Sequence, residues 1–400
     1  MRRLGPLGSA LGIGRWILLG AVSGALAGVA SFIFLEGLSL VTDARVDNEW
    51  LVLGLPVAGL GIGLANHRLA GRASRGNALL LAEIHTPSAW VPRRMAPMVL
   101  IGTWVTHLFG GSAGREGTAL QMSGSLSDLA GRVLKIKPED RSMMLTAALG
   151  GGFGSVFGVP FAGAIFGFEV RSPTPGRFRA LVPTCTASIV GDAVVRVLGH
   201  EHALRARISS LDGTWRNLLV ALAGIAFGLA AVAFVEAVGL VRRAMARLFD
   251  TPTWRPVLGA FGVLGLAALF GDEYLGLSLP LLDSAVSGDT AGWWVWALKI
   301  VFTAVTIGSG FPGGEVTPLF VIGATLGAAL AGPLGLPVAL LAAVGMVAVF
   351  GAAAKTPIAC AVMGVELFGA GAVLPFAMGC VIAFAVSGNR TIYELPPKDG

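Results

Sequence analysis

Ala113-Gly-Arg-Glu-Gly-Thr118 and Pro312-Gly-Gly-Glu-Val-Thr317 are two glycine-rich segments that match each other at an offset of 199 residues. A second pair, Val159-Pro-Phe-Ala-Gly-Ala-Ile-Phe-Gly-Phe-Glu169 and Thr356-Pro-Ile-Ala-Cys-Ala-Val-Met-Gly-Val-Glu366, matches at an offset of 197. Two matches at nearly one offset indicate that the chain consists of two related halves.

The composition indicates that a lipid bilayer surrounds most of the chain. Of its 400 residues 54% are hydrophobic and only 13% are charged, and the mean hydropathy is +0.77. Soluble domains carry about 25% charged residues. We therefore predict an all-α membrane protein with two membrane repeats, residues 1–205 and 206–400, joined by the polar stretch 199–213 and followed by no cytoplasmic regulatory domain.

The apolar stretches are uneven in length, and glycine or proline interrupts several of them. A helix needs about 20 residues to span a bilayer, so short or broken stretches indicate discontinuous helices like those of transporters. The stretches lie near 16–40, 50–66, 96–109, 118–134, 143–169, 180–197, 216–241, 256–270, 291–308, 315–331, 336–351 and 356–388.

The net charge of +6 comes from Lys and Arg residues scattered between the apolar stretches. This pattern is typical of the positive-inside bias rather than of a nucleic-acid surface. The basic residues after the second stretch and the acidic residues 43–49 after the first favour a cytoplasmic N-terminus with residues 43–49 outside. The three cysteines and five histidines show no ligand spacing, so we expect neither a metal site nor a cofactor.

Three glycine-rich segments, 110–117, 150–154 and 308–314, are predicted to break the helical pattern just before apolar helices. Glycine lets successive N–H groups point at one spot, and a helix N-terminus adds about half a positive charge. These features together predict an anion site, with backbone donors at Gly114, Gly117, Gly313 and Gly314. The alternative is tight helix crossing, which needs glycine as well.

Glu116 stands in the first of these segments. A carboxylate in mid-membrane costs at least about 2.5–3.5 kcal/mol, so something must stabilise it there. Helix N-termini can hold it as an anion, and protonation can neutralise it when it swings away. A carboxylate that competes with an anion and also takes up a proton would couple the two fluxes. The alternative is a salt bridge to Arg115.

Glu315 and Thr317 occupy the corresponding segment of the second half, where they either serve the site or cap the next helix. Tyr393 follows the last apolar stretch, and its O–H is suited to donate to an anion. Its position alone favours a tyrosine of the membrane interface.

Four other polar residues adjoin or lie within apolar stretches. His85 and His107 are candidates for proton shuttling. The matched Glu169 and Glu366 are expected to hydrogen-bond nearby backbone rather than to move protons.

Gly-Arg-Glu-Gly at 114–117, Ser-Gly-Phe-Pro-Gly-Gly at 309–314 and the echoes at Pro160 and Pro357 together resemble the CLC family of anion channels and exchangers. The resemblance covers essentially the whole chain. It implies an inverted-repeat bundle of tilted and broken helices, a homodimer with one pathway per subunit, and Glu116 as the external gate.

Four departures from the chloride-selective members resemble the bacterial fluoride/proton antiporter branch of that family. Asn77 takes the place of an anion-touching serine, and Thr118 replaces a proline. Gly-Gly-Glu-Val-Thr-Pro stands at 313–318 where chloride members have Gly-Gly-Ile-Phe-Ala-Pro. Val170 aligns with an inner proton-transfer glutamate.

The same resemblance implies particular roles for three residues of the second half. Glu315 and Thr317 look like the pair of that branch, with Glu315 receiving Glu116 or its proton. Tyr393 matches a C-terminal tyrosine that faces the anion, which favours the site over the interface for this residue.

The sequence therefore predicts a fluoride/proton antiporter that confers fluoride resistance. Its expected partners are fluoride, protons, the lipid of the bacterial inner membrane and a second copy of the chain, with no nucleic acid. A chloride/proton exchanger or a passive channel is the nearest alternative. An intramembrane enzyme that uses Glu116 and His107 as acid and base has no supporting motif.

Overall fold

The chain is almost entirely helical in the computed structural model, which describes residues 6–170, 177–202, 208 and 213–393. The predicted all-α architecture is confirmed, because the extended pairing among these residues is confined to a bridge between Gly114 and Gly314. The helices before residue 200 are α1 (Pro6–Asp47), α2 (Leu55–Ala65), α3 (Gly76–His85), α4 (Met95–Leu108), α5 (Glu116–Val133), α6 (Pro138–Phe157), α7 (Pro160–Glu169) and α8 (Leu181–Val197).

The helices after residue 213 repeat much of this order. They are α9 (Thr214–Leu248), α10 (Arg255–Phe270), α11 (Leu279–Ser287), α12 (Val295–Gly308), α13 (Val316–Leu334), α14 (Val338–Ala354), α15 (Pro357–Phe368) and α16 (Val373–Val386). Short 3-10 segments at Glu49–Gly54, Gly71–Arg75, Arg177–Ala180, Pro252–Trp254 and Ala370–Ala372 and a π-helical turn at Asn66–Ala70 connect some of them. The predicted boundary at 205/206 lies outside the described residues.

The apolar helical segments are either long or short. Within the described part of the chain, five are long and apolar enough to cross a bilayer, namely Gly12–Asp47, Glu49–His85, Thr214–Leu248, Pro252–Phe270 and Val316–Leu334. Others, such as Met95–Leu108 and Val295–Gly308, are apolar but shorter. The chain is a multi-pass membrane protein, and the shorter helices fall below the length of about 20 residues that spans a bilayer.

Glycine sets the contact between α1 and α8. A Cβ at Gly20 would lie 2.6 Å from the carbonyl oxygen of Pro183, and one at Gly24 would lie 2.5 Å from that of Ala187. Gly28 meets Gly191 in the same way. The contacts follow the same order along both helices, so α1 and α8 run parallel. Because small residues recur every four positions, the two backbones almost touch.

The prediction of a helix break at 150–154 is wrong, because α6 runs unbroken through these residues. The glycines serve helix crossing, which was the alternative interpretation. A Cβ at Gly150 would lie 2.6 Å from Thr184 Cγ2, and one at Gly152 would lie 2.6 Å from Ser123 Oγ. Three neighbouring helices, α5, α7 and α8, therefore pack against the glycine-rich side of α6. The actual break comes at Gly158, which is left-handed with φ of 71°.

The helices α13 and α14 form the most buried part of the bundle. Gly323 and Gly345 bring their backbones together so closely that neither has room for a Cβ. Aromatic rings fill the space beside them, with the rings of Phe153 and Phe166 stacked at 4.1 Å and Phe350 packed on both. This core supports the segment between α12 and α13.

Candidate anion site

Two glycine-rich loops meet at the centre of the bundle. One connects α4 to α5, and the other connects α12 to α13. The N–H of Gly114 donates to the carbonyl of Gly314 at 2.6 Å, and the N–H of Gly314 donates to that of Gly114 at 2.7 Å. The two matched segments of the sequence are therefore joined directly, and α5 and α13 both begin beside this bridge.

The Glu116 carboxylate is fully buried at this junction. Its Oε2 accepts hydrogen bonds from the backbone N–H of Thr317 and of Arg115, both at 3.1 Å. Its Oε1 accepts a hydrogen bond from the Thr317 hydroxyl. The ion pair with Arg115, which was the alternative interpretation, is also present, with Arg115 Nε 3.7 Å from Oε1. Helix-terminal donors and a flanking cation therefore both stabilise this one carboxylate.

Two of the four predicted glycines, Gly114 and Gly314, leave space for this carboxylate, but their N–H groups donate to each other's carbonyls, so the prediction that these two donate to an anion is wrong. A Cβ at Gly114 would lie 2.9 Å from Glu116 Oε2, and one at Gly314 would lie 3.2 Å from it. A Cβ at Gly117 would lie 3.2 Å from the Cα of Gly314, and Gly313 presses against Ala113. Side chains at these positions would displace either the carboxylate or the opposite loop.

A cavity of about 470 Å³ opens beside this junction, and Asn77, Glu315 and Tyr393 line it. Tyr393 is only 4% exposed, so the interface position that its place in the sequence favoured is wrong. Its hydroxyl and the Oδ1 atom of Asn77 are buried without a hydrogen-bond partner. Such atoms call for a ligand or water, because unpaired buried polar groups are costly.

Glu315 precedes α13 without capping it. Its side chain makes no capping hydrogen bond to the helix start, and it is half-buried on the cavity side of the junction. The hydroxyl of Thr317 is directed to Glu116. The capping alternative therefore fails for both residues. Glu116 therefore lies inside the junction of the two loops, whereas Glu315 faces the cavity.

A buried lysine supports the first glycine loop from behind, and our sequence reasoning missed it. The Nζ atom of Lys299, on α12, lies within hydrogen-bond distance of four acceptors and can donate to three of them at once: Ser112 Oγ at 3.0 Å, Ser278 Oγ at 2.8 Å, and the carbonyls of Tyr274 and Gly276 at 3.1 and 3.0 Å. Its signal in the sequence was a lone cation inside the apolar stretch 291–308.

His107 supports the same loop. Its Nδ1 lies 2.9 Å from the carbonyl of Thr103 and its Nε2 lies 3.1 Å from that of Ala113. The ring therefore fixes the residue just before Gly114. His85 is placed differently, with Nδ1 2.8 Å from the carbonyl of Leu81, away from the Gly114–Gly314 bridge.

Glu169 and Glu366 hydrogen-bond backbone, as expected, but each does so on the other half of the chain. Glu169 accepts from the N–H groups of Ile358 and Ala359 at the start of α15, at 3.1 and 2.6 Å. Glu366 accepts from those of Phe161 and Ala162 at the start of α7, at 3.0 and 2.7 Å. Each carboxylate thus caps the helix that carries the other.

Helix N-termini and hydrogen-bond donors surround the buried Glu116 carboxylate. The beginnings of α5 and α13 each contribute about half a positive charge, and the donors around Glu116 suit any small acceptor. Among the described residues no three His, Cys, Asp or Glu side chains are grouped as metal ligands would be.

The chain is similar to known proteins over nearly its whole length. The family model described as voltage gated chloride channel matches residues 58–388. A chloride/fluoride channel protein of Pseudomonas syringae pv. tomato is 43% identical over 96% of this chain and 86% of its own length. An H⁺/Cl⁻ exchange transporter of Vibrio vulnificus is 25% identical over 94% of this chain and 88% of its own.

Two solved structures have the same fold. A CLC-type fluoride/proton antiporter superposes with a TM-score of 0.92 at 33% identity, over 96% of this chain and 97% of that one. A slow cyanobacterial Cl⁻/H⁺ antiporter gives a TM-score of 0.79 at 21% identity over 93% and 94%. The second likeness concerns the fold alone.

Proposed function

The chain belongs to the voltage-gated chloride channel family, and from that premise we propose that it is a secondary active transporter that exports fluoride in exchange for protons. The observation that carries the proposal is the position of the Glu116 carboxylate. It occupies a site made by backbone and hydroxyl donors of Thr317, where a small anion would otherwise bind.

Competition for one site provides the coupling. As an anion, Glu116 accepts hydrogen bonds from Thr317. It also interacts with the partial positive charge at the N-terminus of α13. Protonation removes its charge, so the side chain loses the interaction that holds it and an anion can replace it. Glu315, which faces the cavity, is suited to receive the proton or the displaced side chain.

Fluoride fits the donors better than a larger halide. It is small and strongly hydrated, so a site must replace its water with several strong hydrogen bonds. Thr317 supplies an N–H and an O–H, and the unpartnered hydroxyl of Tyr393 supplies another O–H. A protonated Glu116 or Glu315 would add a donor of the kind that a strong acceptor prefers.

The proton shares this route rather than taking a separate one. A gap of about 10 Å³ lies between Tyr393 and Val170. Apart from Asn77 and Tyr393, the side chains that line it are apolar, among them Leu81, Leu149 and Phe166. Nothing at Val170 can carry a proton, which supports transfer through Glu116 and Glu315.

We further propose that residues 1–205 and 206–400 are inverted repeats, that two copies pair, and that the protein resides in a bacterial inner membrane. The cross-capping of α7 and α15 supports the first proposal. Pairing is supported by the exposed Phe161 and Ile358, which lie beside half-buried carboxylates on these two helices. A second copy would cover these polar groups better than lipid.

The test uses protein reconstituted in vesicles loaded with fluoride. We expect fluoride efflux to acidify the lumen in the wild type and not in Glu116→Gln, which keeps the shape of the protonated side chain but cannot carry a proton. Glu36→Gln, on α1 and hydrogen-bonded to His200, is the control. Acidification by Glu116→Gln at the wild-type rate would refute the coupling role.

A chloride/proton exchanger is the second candidate, because the relative from Vibrio vulnificus bears that description. Chloride efflux measured from the same vesicles separates the two. Equal or faster chloride efflux would favour this candidate, whereas Asn77 in place of a serine favours fluoride.

A further inference from the structure

The helix α3 carries Asn77 near its start, at an end of the helix that has no cap. No side chain makes a capping hydrogen bond there, and the chain enters α3 through Gly71 and Gly76, which are left-handed with φ of 51° and 53°. With 10 residues, α3 is about 15 Å long, too short for the thickness of the bilayer to fix its depth. The position of Asn77 therefore depends on how the other end of α3 is held.

Asn77 lies beside the first turn of α5. A Cβ at Gly117 would lie 3.4 Å from the Asn77 Nδ2 atom, and the Asn77 Oδ1 atom is buried without a hydrogen-bond partner. Gly117 directly follows Glu116 in the sequence. A shift of α3 relative to α5 would therefore change the distance between the Asn77 amide and an anion that replaces the Glu116 carboxylate.

The buried carboxylate of Glu83 holds the last turn of α3. Its side chain is 2% exposed, and it accepts hydrogen bonds from the backbone N–H groups of Ser88 and Ala89, in the loop after α3, at 2.8 and 3.1 Å. Arg72, in the 3-10 segment before α3, donates to the same carboxylate, and so does Arg141 of α6, at 2.9 Å. One side chain therefore ties the end of α3 to the segments on both sides of it and to α6.

Arg141 extends this network to α5. Its Nε donates to Asp128 Oδ1 at 2.6 Å and its Nη2 to Asp128 Oδ2 at 3.0 Å, a two-point contact that a lysine cannot make. The same guanidinium donates to the carbonyl of Ala89 at 2.9 Å. Glu83, Asp128 and Arg141, here called the Glu83 cluster, thus join α3 to the helix that begins at Glu116.

We propose that the Glu83 cluster consists of positioning residues for the anion pathway, which hold Asn77 at the distance from α5 that an anion requires. The proposal rests on the proposed function, because it assigns Asn77 to the path of the transported anion. Buried ion pairs contribute little net stability, since desolvation offsets most of the attraction between the charges. Their better-attested role is to fix one arrangement of helices, and here the two helices are those that carry Asn77 and Glu116.

Glu83→Gln is the first test variant. The amide has nearly the shape of the carboxylate, but its NH₂ group faces hydrogen-bond donors and repels them. Because Arg141 keeps both bonds to Asp128, no buried cation is left unpaired, and we expect the variant to fold. Arg141→Lys is the second variant, which keeps the charge and loses the two-point contact.

Asp140→Asn is the matched control. It makes the same carboxyl-to-amide change at the residue before Arg141, in an ion pair with Arg15 of α1 at 2.7 Å. The measurement is the initial rate of anion efflux from vesicles against internal anion concentration, with thermal unfolding in detergent to verify folding. Asn77→Ala and the double variant Glu83→Gln/Asn77→Ala complete a double-mutant cycle.

We expect Glu83→Gln to raise the apparent KM for the anion about three- to tenfold, the effect of weakening one hydrogen bond to the anion, and to leave kcat nearly unchanged. Arg141→Lys should raise the KM as well, whereas Asp140→Asn should keep the wild-type KM. Because Glu83 acts through Asn77, the KM of the double variant should be no higher than that of Asn77→Ala alone. A purely structural role would reduce the number of folded transporters and leave the KM unchanged.

Three results would overturn the positioning role. The first is a wild-type KM in Glu83→Gln and Arg141→Lys, or in Asn77→Ala. The second is a double variant whose KM rises by the product of the two single effects, since the residues would then act independently. The third is failure of both cluster variants to fold, which would make the cluster a requirement for folding alone. If only Glu83→Gln fails to fold, the cycle is completed with Arg141→Lys.

These outcomes are distinguishable from a failure of the proposed function. The efflux is recorded for whichever of fluoride or chloride the wild type carries, and no proton movement is measured. A loss of the expected proton coupling therefore leaves the KM comparison intact, and a wild-type KM in the cluster variants leaves the acidification test of Glu116→Gln intact.

Discussion

At the scale of single residues, Gly114 is a glycine of the anion site that three different residues crowd. Pro318, Gly314 and the Glu116 carboxylate all lie within 3.0 Å of the place where a Cβ would stand. We expect Gly114→Ala to lower the free energy of unfolding by about 1–3 kcal/mol, the usual cost of overpacking, and to uncouple fluoride efflux from proton entry.

Thermal unfolding in detergent and vesicle efflux together check this prediction. Gly61→Ala is the matched control, because Gly61 lies on the exposed side of α2 with nothing within 4 Å of an added Cβ. If Gly114→Ala and Gly61→Ala show the same unfolding temperature and the same coupling of fluoride efflux to proton entry, the junction has room for a Cβ at Gly114 and the prediction is contradicted.

Lys299 gives a second prediction at this scale. Lys299→Met leaves the carbonyls of Tyr274 and Gly276 without this donor, whereas the hydroxyls of Ser112 and Ser278 keep other hydrogen bonds. Each unpaired buried acceptor costs about 1–3 kcal/mol. We expect a clear fall in the unfolding temperature, and a smaller one for Lys299→Gln, which retains two donors. Equal falls in unfolding temperature for Lys299→Met and Lys299→Gln would mean that the hydrogen bonds of this side chain contribute little to stability.

At the scale of elements, the cross-caps join α7 to α15. Glu366→Leu would leave the N–H groups of Phe161 and Ala162 unpaired at the start of α7. A lost cap typically costs about 1–2 kcal/mol. We expect Glu366→Leu and Glu169→Leu to be destabilised by similar amounts, and the Gln variants less, as measured by denaturant or thermal unfolding. A large difference between the two Leu variants would contradict equal roles for the two caps.

The elements also show what the sequence could and could not predict. The repeat offset predicted which loops correspond, and the structure joins them at Gly114 and Gly314. Glycine content alone gave a wrong prediction for residues 150–154. A glycine that ends a helix cannot be told apart by residue type from one that lets a neighbouring helix approach closely. The partners of Lys299 were not predictable, since Ser112 lies 187 positions away in the chain.

At the scale of the whole molecule, the connection between the halves carries a histidine pair. His200 and His202 have ring centroids 5.2 Å apart, and His202 packs against Gly158. Burial first, and then the nearby charges of His200, Arg115 and Arg196, lower the pKa of His202 to about 4.

This shift makes the fold sensitive to acid. Between about pH 6.5, the ordinary histidine pKa, and the folded pKa of about 4, the unfolded chain binds more protons at this residue than the folded chain. Stability should therefore fall as the pH drops through this window. Between pH 7 and pH 5 we expect the unfolding temperature of His202→Gln to fall less than that of the wild type. His67→Gln, at an exposed position, is the control. Parallel curves for His202→Gln and the wild type would contradict the assignment.

The bridge between Gly114 and Gly314 limits the kind of motion that alternating access can use. Rocking one half against the other would break two backbone hydrogen bonds far from water, where no solvent replaces them. Rotation of individual side chains about a stationary backbone breaks neither. Exposure of the site to one side and then the other should therefore proceed through rotamer changes of Glu116 and its neighbours, and crystals trapped in different protonation states should superpose closely along the main chain.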